Sequence, residues 1–261
     1  MLSTSVIESI ADELVQAHDS RAVVSRLTAR YSEMTVADSY AVQAEWGRRR
    51  SAAGHQVVGH KIGLTSKVMQ VATGIDEPDY GVIFADQSYS SGAEIPFDAF
   101  SNVRIETELA FVLKSPLEGP DVSVDDVLAA TDYVTPAIEV LNSHIQLEGR
   151  TIVDTIADNA ALGAIVSGGN RIDPAEVDLY WISAVLSRND TIEESGVAAA
   201  ILGNPPLGVA WLARKLAQHG AGLAAGEIIL AGSFTRPMWV ERGDLIRADF
   251  GIHGEVTCRF I

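Results

Sequence analysis

The order of predicted elements constrains this chain most: helix-forming segments come first, and strand-forming segments dominate after residue 56. Ile7, Ile10 and Leu14 recur at helical spacing, and Thr35 with Asp38 resembles a capping box at the start of a second helix. Because strands and helices do not alternate afterwards, a doubly wound sheet is disfavoured and an α+β fold is predicted. We expect a helical N-terminal region over residues 1–55 and a β-rich main domain over 56–261, together one structural unit.

The β-rich part contains one clear helix and several strand-like runs. Asn204 is expected to cap a helix over residues 205–219, with Pro205 at its first position and Gly220 after its end. The run 181–186, the turn at 188–190 and the run 191–193 indicate a hairpin. Further strands are predicted at 57–63, 103–113, 133–141, 227–231, 245–250 and 256–261.

The charge balance excludes some classes of partner. Among 261 residues, 19 are Lys or Arg and 35 are Asp or Glu, which gives a net charge of −16. Such a chain is poorly suited to nucleic acid or to an anionic membrane surface, both of which attract basic proteins. Solubility accounts for most of the acidity. An anionic substrate would need a local positive group, and a metal ion could supply it.

Cysteine content and the N-terminus indicate a cytoplasmic protein. Cys258 is the single cysteine, so no intramolecular disulfide and no thiolate zinc site can form. The N-terminus lacks the basic segment of a secretory signal, and no apolar run approaches the length of a transmembrane helix.

Glu106 and Glu108 are the first candidate metal ligands. In a strand, residues i and i+2 lie on one face, so these carboxylates would be roughly 6–7 Å apart at Cα. Two carboxylates this close repel each other unless a cation or a proton lies between them. An exposed strand face with two solvated glutamates explains the spacing equally well.

Glu139 favours the metal hypothesis because it is an isolated acid in an apolar strand-like run. A salt bridge to a basic residue is the alternative. Three carboxylates on two strands would form an oxygen-only site, which suits Mg²⁺, Mn²⁺ or Ca²⁺ better than zinc. Three protein ligands would leave positions open for a chelating substrate.

Other polar residues could bind substrate or transfer protons, although each has a structural alternative. Lys61, between glycines, could hold a carboxylate or enolate, or extend from a strand end to solvent. Asp79 is an acid/base candidate or a turn residue, and Asp158 with Asn159 could line a pocket or cap a helix. Arg236, in the loop that begins with Gly232 and Ser233, could grip a second carboxylate or form a surface salt bridge.

Several motifs occur together in the order and spacing of one family. They are Gly59-His60-Lys61-Ile62-Gly63-Leu64-Thr65-Ser66-Lys67, Glu77-Pro78-Asp79-Tyr80-Gly81, Arg104-Ile105-Glu106-Thr107-Glu108-Leu109-Ala110-Phe111-Val112-Leu113, Pro136-Ala137-Ile138-Glu139 and Asp154-Thr155-Ile156-Ala157-Asp158-Asn159-Ala160. From about residue 30 onwards, the chain resembles the 2-hydroxy-2,4-dienoate (2-oxo-4-enoate) hydratases of the fumarylacetoacetate hydrolase superfamily.

The resemblance implies a mixed β-sandwich roll with flanking helices and Mg²⁺ or Mn²⁺ held by Glu106, Glu108 and Glu139. It implies hydration of a dienol from meta-cleavage of aromatic compounds, with Lys61, Asp79 and Asp158 as catalytic residues. It also implies a homo-oligomer, pentameric or decameric, with a downstream aldolase or a sister decarboxylase as a possible partner. The expected substrate-binding residues are Leu64, Thr65, Asn159, Ser233, Thr235 and Arg236.

Substrate choice stays open between branches of the family. The loops 232–237 and 193–199 look most like the 2-oxohept-4-ene-1,7-dioate hydratases, whereas the short segment 142–151 is closer to the hydratases of monoacids such as 2-oxopent-4-enoate. The sister 4-oxalocrotonate decarboxylases usually have methionine where this chain has Ile62. A C–C bond hydrolase, or a subunit that supports a partner enzyme, are further alternatives.

Overall fold

A computed structural model describes residues 1–67, 70–71 and 77–261. Before the first strand it contains α1 (Thr4–Ser20), α2 (Leu27–Arg30) and α3 (Val36–Ala52). The predicted capping box is confirmed, because the Thr35 side chain accepts a hydrogen bond from Asp38 N and the Asp38 carboxylate accepts one from Thr35 N. Within the described ranges, no helix combines the length and the apolar character that a bilayer crossing needs.

The N-terminal helices share a core with the β-rich part. Leu14 of α1 and Trp46 of α3 pack in one buried cluster with Phe84 and Ile145. Tyr40 of α3 also stacks on Tyr80, with ring centroids 4.8 Å apart. The helices therefore cover the β structure through apolar contacts, and the boundary near residue 55 stays a prediction.

Thirteen strands form two sheets in the described residues. The larger sheet has the order β2-β1-β10-β5-β6-β7-β3, with β11 also paired to β5, and the smaller has the order β4-β13-β12-β8-β9. The bounds are β1 Val57–Gly63, β2 Asp79–Phe84, β3 Ser88–Ser90, β4 Ala93–Ile95, β5 Arg104–Leu113, β6 Thr131–Leu141, β7 Leu162–Ser167, β8 Ser183–Arg188, β9 Thr191–Val197, β10 Ile228–Ser233, β11 Met238–Trp239, β12 Leu245–Asp249 and β13 Glu255–Phe260.

The pairing is mixed, which agrees with the predicted α+β class. β1 with β10, β3 with β7 and β4 with β13 are parallel, whereas β5 pairs antiparallel with both β10 and β6. The predicted hairpin is confirmed as β8 and β9, which are joined through Asn189 and Asp190, both with positive φ.

Three more helices accompany the strands in the part of the chain from residue 77 onwards: α4 (Val124–Ala130), α5 (Ile152–Ala157) and α6 (Pro206–Ala217). The predicted cap of α6 at Asn204 is wrong. Pro205 has helical φ and ψ and occupies the N-cap position, Pro206 is the first helical residue, and no side-chain cap bond forms. Two consecutive prolines thus move the helix start by one residue.

Asp154 ties the N-terminal region to the segment before the functional site. Its buried carboxylate accepts hydrogen bonds from the backbone and hydroxyl of Thr28 and from the backbone and hydroxyl of Thr151. Burial alone would raise the pKa of Asp154, but these four hydrogen bonds hold it below its ordinary value.

We expect Asp154→Ala to lower the free energy of unfolding by about 2–4 kcal/mol, because hydrogen-bond donors in the protein interior lose a charged acceptor. Since the folded pKa is depressed, the stabilisation is full above the ordinary pKa and is lost as the pH falls through the folded value. Denaturant unfolding between pH 2 and 7 measures both effects.

Asp126→Ala is the matched control, because Asp126 closes a similar capping box with Ser123 at an exposed helix start. A smaller loss than in Asp154→Ala is expected there. Equal losses in the two variants would contradict the role given to Thr28.

Candidate metal centre and active site

Glu106, Glu108 and Glu139 meet on one face of the larger sheet. In the antiparallel β5–β6 pair, Glu106 lies directly opposite Glu139, and Glu108 follows two residues along β5 on the same face. One carboxylate oxygen from each residue lies within 4.8 Å of the other two. Glu108 and Glu139 are buried, and Glu106 is partly exposed, so the cluster has one open side.

The cluster is electrostatically costly without a cation. Burial and the nearby charge of Glu139 raise the pKa of Glu106 to about 8 and raise the pKa of Glu108 well above its ordinary value. A divalent ion between the three carboxylates would remove this repulsion. The donors are all carboxylate oxygens, so the residues present fit a hard cation such as Mg²⁺ or Mn²⁺.

Glu108 is held in place by the backbone of β10. Its Oε2 accepts a hydrogen bond of 2.9 Å from Gly232 N. Gly232 has φ 125°, and a Cβ there would collide with the buried side chain of Thr65. Thr65, predicted to bind substrate, thus packs beside the backbone that anchors Glu108.

Lys61 points into the cluster, not toward solvent. Its Nζ lies 3.2 Å from Glu139 Oε1, and its side chain is only 4% exposed. Burial lowers the pKa of Lys61, but the charges of Glu139 and Asp79 raise it overall, so the ammonium stays protonated. The geometry therefore excludes the alternative of a lysine that extends to water.

Asp79 lies beside Lys61 at the start of β2. It is opposite Gly63 in the β1–β2 pair, and a Cβ at Gly63 would collide with Asp79 Oδ1 and lie 3.3 Å from Lys61 Nζ. Asp79 is buried, and its Oδ1 has no hydrogen-bond partner among the described residues. Burial raises the pKa of Asp79, although Lys61 opposes the shift.

Asp158 and Asn159 are occupied by structural hydrogen bonds. Asp158 accepts hydrogen bonds from His144 Nδ1 at 2.9 Å and from His144 N at 2.7 Å, and also from Ser143 Oγ. The Asn159 amide bonds both the backbone N–H and the carbonyl of Val82. These contacts position the segments around the cluster, and the predicted catalytic and substrate-binding roles of the two residues stay predictions.

Three side chains predicted to bind substrate, Ser233 at the end of β10 opposite Glu108 and Thr235 and Arg236 after it, are bonded within the chain. Thr235 Oγ1 accepts a hydrogen bond of 3.0 Å from Thr107 N, and the Thr107 side chain points away from the glutamates because strand residues alternate. Ser233 Oγ donates to Thr235 O. Arg236 is 81% exposed and pairs with Glu194 at 2.8 Å, so it forms the surface salt bridge that was the alternative to carboxylate binding.

Leu64 supports the local backbone. It has φ 55°, which is uncommon for a residue with a branched side chain, and its carbonyl accepts a hydrogen bond of 2.9 Å from Gln70 Nε2. Leu64 and Thr65 follow Lys61 directly at the end of β1. The pair therefore shapes one rim of the site through its backbone.

Two arginines near the cluster, Arg104 and Arg150, are not among the site residues predicted from the sequence. Arg104 is two residues before Glu106 and shares its strand face, and the charges of Glu106 and Glu139 act on it. Arg150 donates to Ser143 Oγ at 2.7 Å and interacts electrostatically with Asp158, Asp79 and Asp154. The alternation that paired Glu106 with Glu108 also identifies Arg104, whereas no local pattern identifies Arg150.

Comparison with known proteins places this geometry in a family, although no protein-family model matches the chain. The chain is 48% identical over 258 residues to 2-oxo-hept-4-ene-1,7-dioate hydratase of Escherichia coli, with 97% of each chain covered. It is 38% identical over 253 residues to 2-keto-4-pentenoate hydratase of Paraburkholderia xenovorans, with 97% of this chain and 94% of that one covered.

Solved structures agree with the sequence comparison. 4-Oxalocrotonate decarboxylase from Pseudomonas putida G7, complexed with magnesium and adipate, matches with a TM-score of 0.97 at 34% identity and covers 100% of this chain and 99% of its own. Fumarylpyruvate hydrolase from Pseudomonas aeruginosa matches in fold alone, with a TM-score of 0.62 at 15% identity over 77% of this chain and 88% of its own. The chain belongs to the 2-hydroxy-2,4-dienoate (2-oxo-4-enoate) hydratase family and has the fumarylacetoacetate hydrolase fold.

Proposed function

We propose that this protein is a metal-dependent hydratase that adds water to a 2-hydroxy-2,4-dienoate, with 2-oxohept-4-ene-1,7-dioate as the favoured substrate. The meeting of Glu106, Glu108 and Glu139 on one sheet face carries the proposal. The 48% identity to the Escherichia coli hydratase supports the substrate class.

The three glutamates would hold the cation, with Mg²⁺ or Mn²⁺ as the proposed ions. A bound ion of this kind supplies chelation of a 2-oxo acid and polarisation of its C2 oxygen. The part played by the chain is to keep two buried carboxylates and one partly exposed carboxylate together on rigid strands, with Glu108 fixed by Gly232 N. Glu106, on the open side, lies where substrate would approach.

Lys61 would orient the acid end of the substrate. Its ammonium is buried and charged, and lies 3.2 Å from Glu139 Oε1 in ion-pair contact. As a compact point charge it would hold the C1 carboxylate or the developing enolate. Its rigid position between Gly63 and Glu139 limits the poses that the substrate can adopt.

Asp79 is the proposed proton-transfer residue. The dienol loses its enol proton and gains a proton at C5, which gives an α,β-unsaturated ketone. Water then adds its oxygen at C4 and a proton at C3, so a 4-hydroxy-2-oxo acid forms. An aspartate of raised pKa with a free Oδ1 beside Lys61 suits such transfers. Asp158 is less suited because both of its oxygens accept hydrogen bonds.

The second candidate is decarboxylation of 4-oxalocrotonate on the same scaffold. The TM-score of 0.97 to the Pseudomonas putida G7 decarboxylase supports it, since the fold alone does not separate the two reactions. The predicted homo-oligomer, which would work with a partner decarboxylase or aldolase, is likewise proposed for this chain.

The metal role predicts opposite effects of Glu106→Gln on the metal-free and the metal-loaded protein. The pKa of Glu106 is raised to about 8, so its carboxylate destabilises the metal-free fold increasingly between its ordinary value of 4.5 and pH 8. At pH 8 the metal-free variant should therefore be at least as stable as the wild type. With Mg²⁺ at 100 times the dissociation constant, only the wild type should gain about 2.7 kcal/mol.

Thermal unfolding with and without Mg²⁺ measures this crossover. Glu94→Gln is the control, because Glu94 lies on the exposed face of the smaller sheet. A Glu106→Gln protein that Mg²⁺ stabilises as much as the wild type would sink the assignment of the ligands.

The hydratase activity predicts a specific product. With Mg²⁺, the purified protein should remove the dienol absorbance of the 1,7-dioate, and nuclear magnetic resonance should identify a 4-hydroxy-2-oxo diacid. Carbon dioxide release from 4-oxalocrotonate without water uptake by the dienol would instead establish the decarboxylase, and cleavage of a C–C bond would overturn both.

Asp79→Asn should reduce kcat by about 10²- to 10⁴-fold, the usual contribution of general acid–base catalysis. The Mg²⁺ affinity should stay within a few-fold of the wild-type value, because the proposed ligands are Glu106, Glu108 and Glu139 and do not include Asp79. Asp158→Asn is the comparison: it should lower the unfolding temperature more than kcat, because its carboxylate holds the segment at 143–145. The reverse pattern in the two variants would move proton transfer to Asp158.

A further inference from the structure

Arg104 occupies the site face next to the metal cluster. The register of β5 against β6 is regular from Arg104 opposite Leu141 to Glu106 opposite Glu139, so no bulge turns Arg104 away from the glutamates. Two residues of extended strand place its Cα about 7 Å from that of Glu106. Both residues are partly exposed, whereas Ile105 between them is buried.

The guanidinium of Arg104 is held but not neutralised. It stacks over the ring of Trp239 on the neighbouring strand β11, with 5.3 Å between Cζ and the ring centroid. Its Nε and Nη2 are buried and have no hydrogen-bond partner among the described residues. Buried donors without partners are rare and costly, and they often mark the place of a ligand.

Other cations around the cluster are already engaged. Lys61 contacts Glu139, and Arg236 pairs with Glu194 on the surface. Arg150 is bonded to Ser143 and lies near enough for its charge to act on Arg104. Arg104 therefore presents two N–H donors that have no partner among the described residues, an arrangement that binds a carboxylate in bidentate fashion.

We propose that Arg104 binds the second carboxylate of a dicarboxylic substrate, and so selects diacids over monoacids of the same length. This inference rests on the proposed function, because it assumes that the 2-oxo acid end lies at Glu106, Glu108 and Glu139. The chain between the two carboxyl carbons of a seven-carbon diacid has six bonds, as many as two extended residues, and spans about 7 Å. That span is of the same order as the separation of about 7 Å between the Cα atoms of Arg104 and Glu106 along β5.

The test compares two saturated probes, 2-oxoheptanedioate and 2-oxoheptanoate, which differ only in the second carboxylate. Binding to the Mg²⁺-loaded protein is measured by calorimetry, without turnover. The wild type should prefer the diacid by at least about tenfold, and Arg104→Gln should weaken the diacid by about ten- to hundredfold, as expected for a lost charge-assisted contact. The affinity of Arg104→Gln for the monoacid should stay within about threefold of the wild-type value, because the monoacid has no second carboxylate for Arg104 to contact.

Two further variants sharpen the comparison. Arg104→Lys keeps the charge but loses the planar pair of donors, so it should recover part of the diacid preference. Arg236→Gln removes an exposed arginine paired with Glu194 and should leave both affinities unchanged. The lysine variant also keeps the test usable if Arg104→Gln fails to fold.

Several outcomes would overturn the inference. An equal loss of affinity for both probes in Arg104→Gln would mean that Arg104 contacts the acid end that the probes share, or that it is structural. A loss of the diacid preference in Arg236→Gln would assign the selectivity to Arg236 in the surface loop. A wild type that binds both probes equally would also contradict it. A protein that prefers the diacid through Arg104 but does not hydrate the dienol would refute the proposed function and leave this inference intact.

Discussion

Mutual repulsion of three carboxylates on two adjacent strands is the constraint on which this site depends. Glu106 and Glu139 face each other across the β5–β6 pair, and Glu108 joins them from the next position on the same face. Three free carboxylates in water would move apart, since each one raises the free-energy cost of ionising the others. The long, regular and buried β5–β6 pair supplies the rigidity that keeps them in place.

The surrounding structure supports this cluster by close backbone approach. Gly232 donates its N–H to Glu108, and no larger residue fits there because the side chain of Thr65 occupies the space that a Cβ would need. Gly63 likewise leaves room for Asp79 beside Lys61. Farther out, Asp158 fixes the segment at 143–145 and Asp154 fastens α2 to the start of α5. Acidic residues thus serve two purposes: those that are fully hydrogen-bonded hold the scaffold, and those left without enough donors form the proposed metal site.

Much of the site could be predicted from local sequence. Strand alternation predicts that Glu106 and Glu108 share a face, and the isolation of Glu139 among apolar residues makes it a third candidate ligand. The glycines on both sides of Lys61 make it a candidate for substrate binding. The β8–β9 hairpin and the Thr35 capping box also follow from short-range patterns, which explains their confirmation. The role of Asp79 in proton transfer stays a prediction, although its burial next to Lys61 agrees with it.

The rest depends on contacts between distant segments, which no local pattern contains. Asp158 bonds His144, and Arg236 pairs with Glu194, a residue 42 positions earlier in the chain. The catalytic role of Asp158 and the substrate-binding role of Arg236 stay predictions. Arg50 illustrates the same limit: three arginines at the end of α3 suit solvent, yet Arg50 is buried, bonds Asp86 and lies over Trp46. Arg104 differs from these residues in that a local pattern, the alternation along β5, predicts its position on the same face as Glu106.

The central claim is that the three glutamates form one cation site, and anomalous diffraction from a Mn²⁺-soaked crystal tests it most directly. The account predicts a strong anomalous peak in contact with one oxygen from each of Glu106, Glu108 and Glu139, at about 2.0–2.3 Å, the range for hard divalent cations in proteins. A peak elsewhere, or no peak while Lys61 keeps its contact with Glu139, would contradict the account.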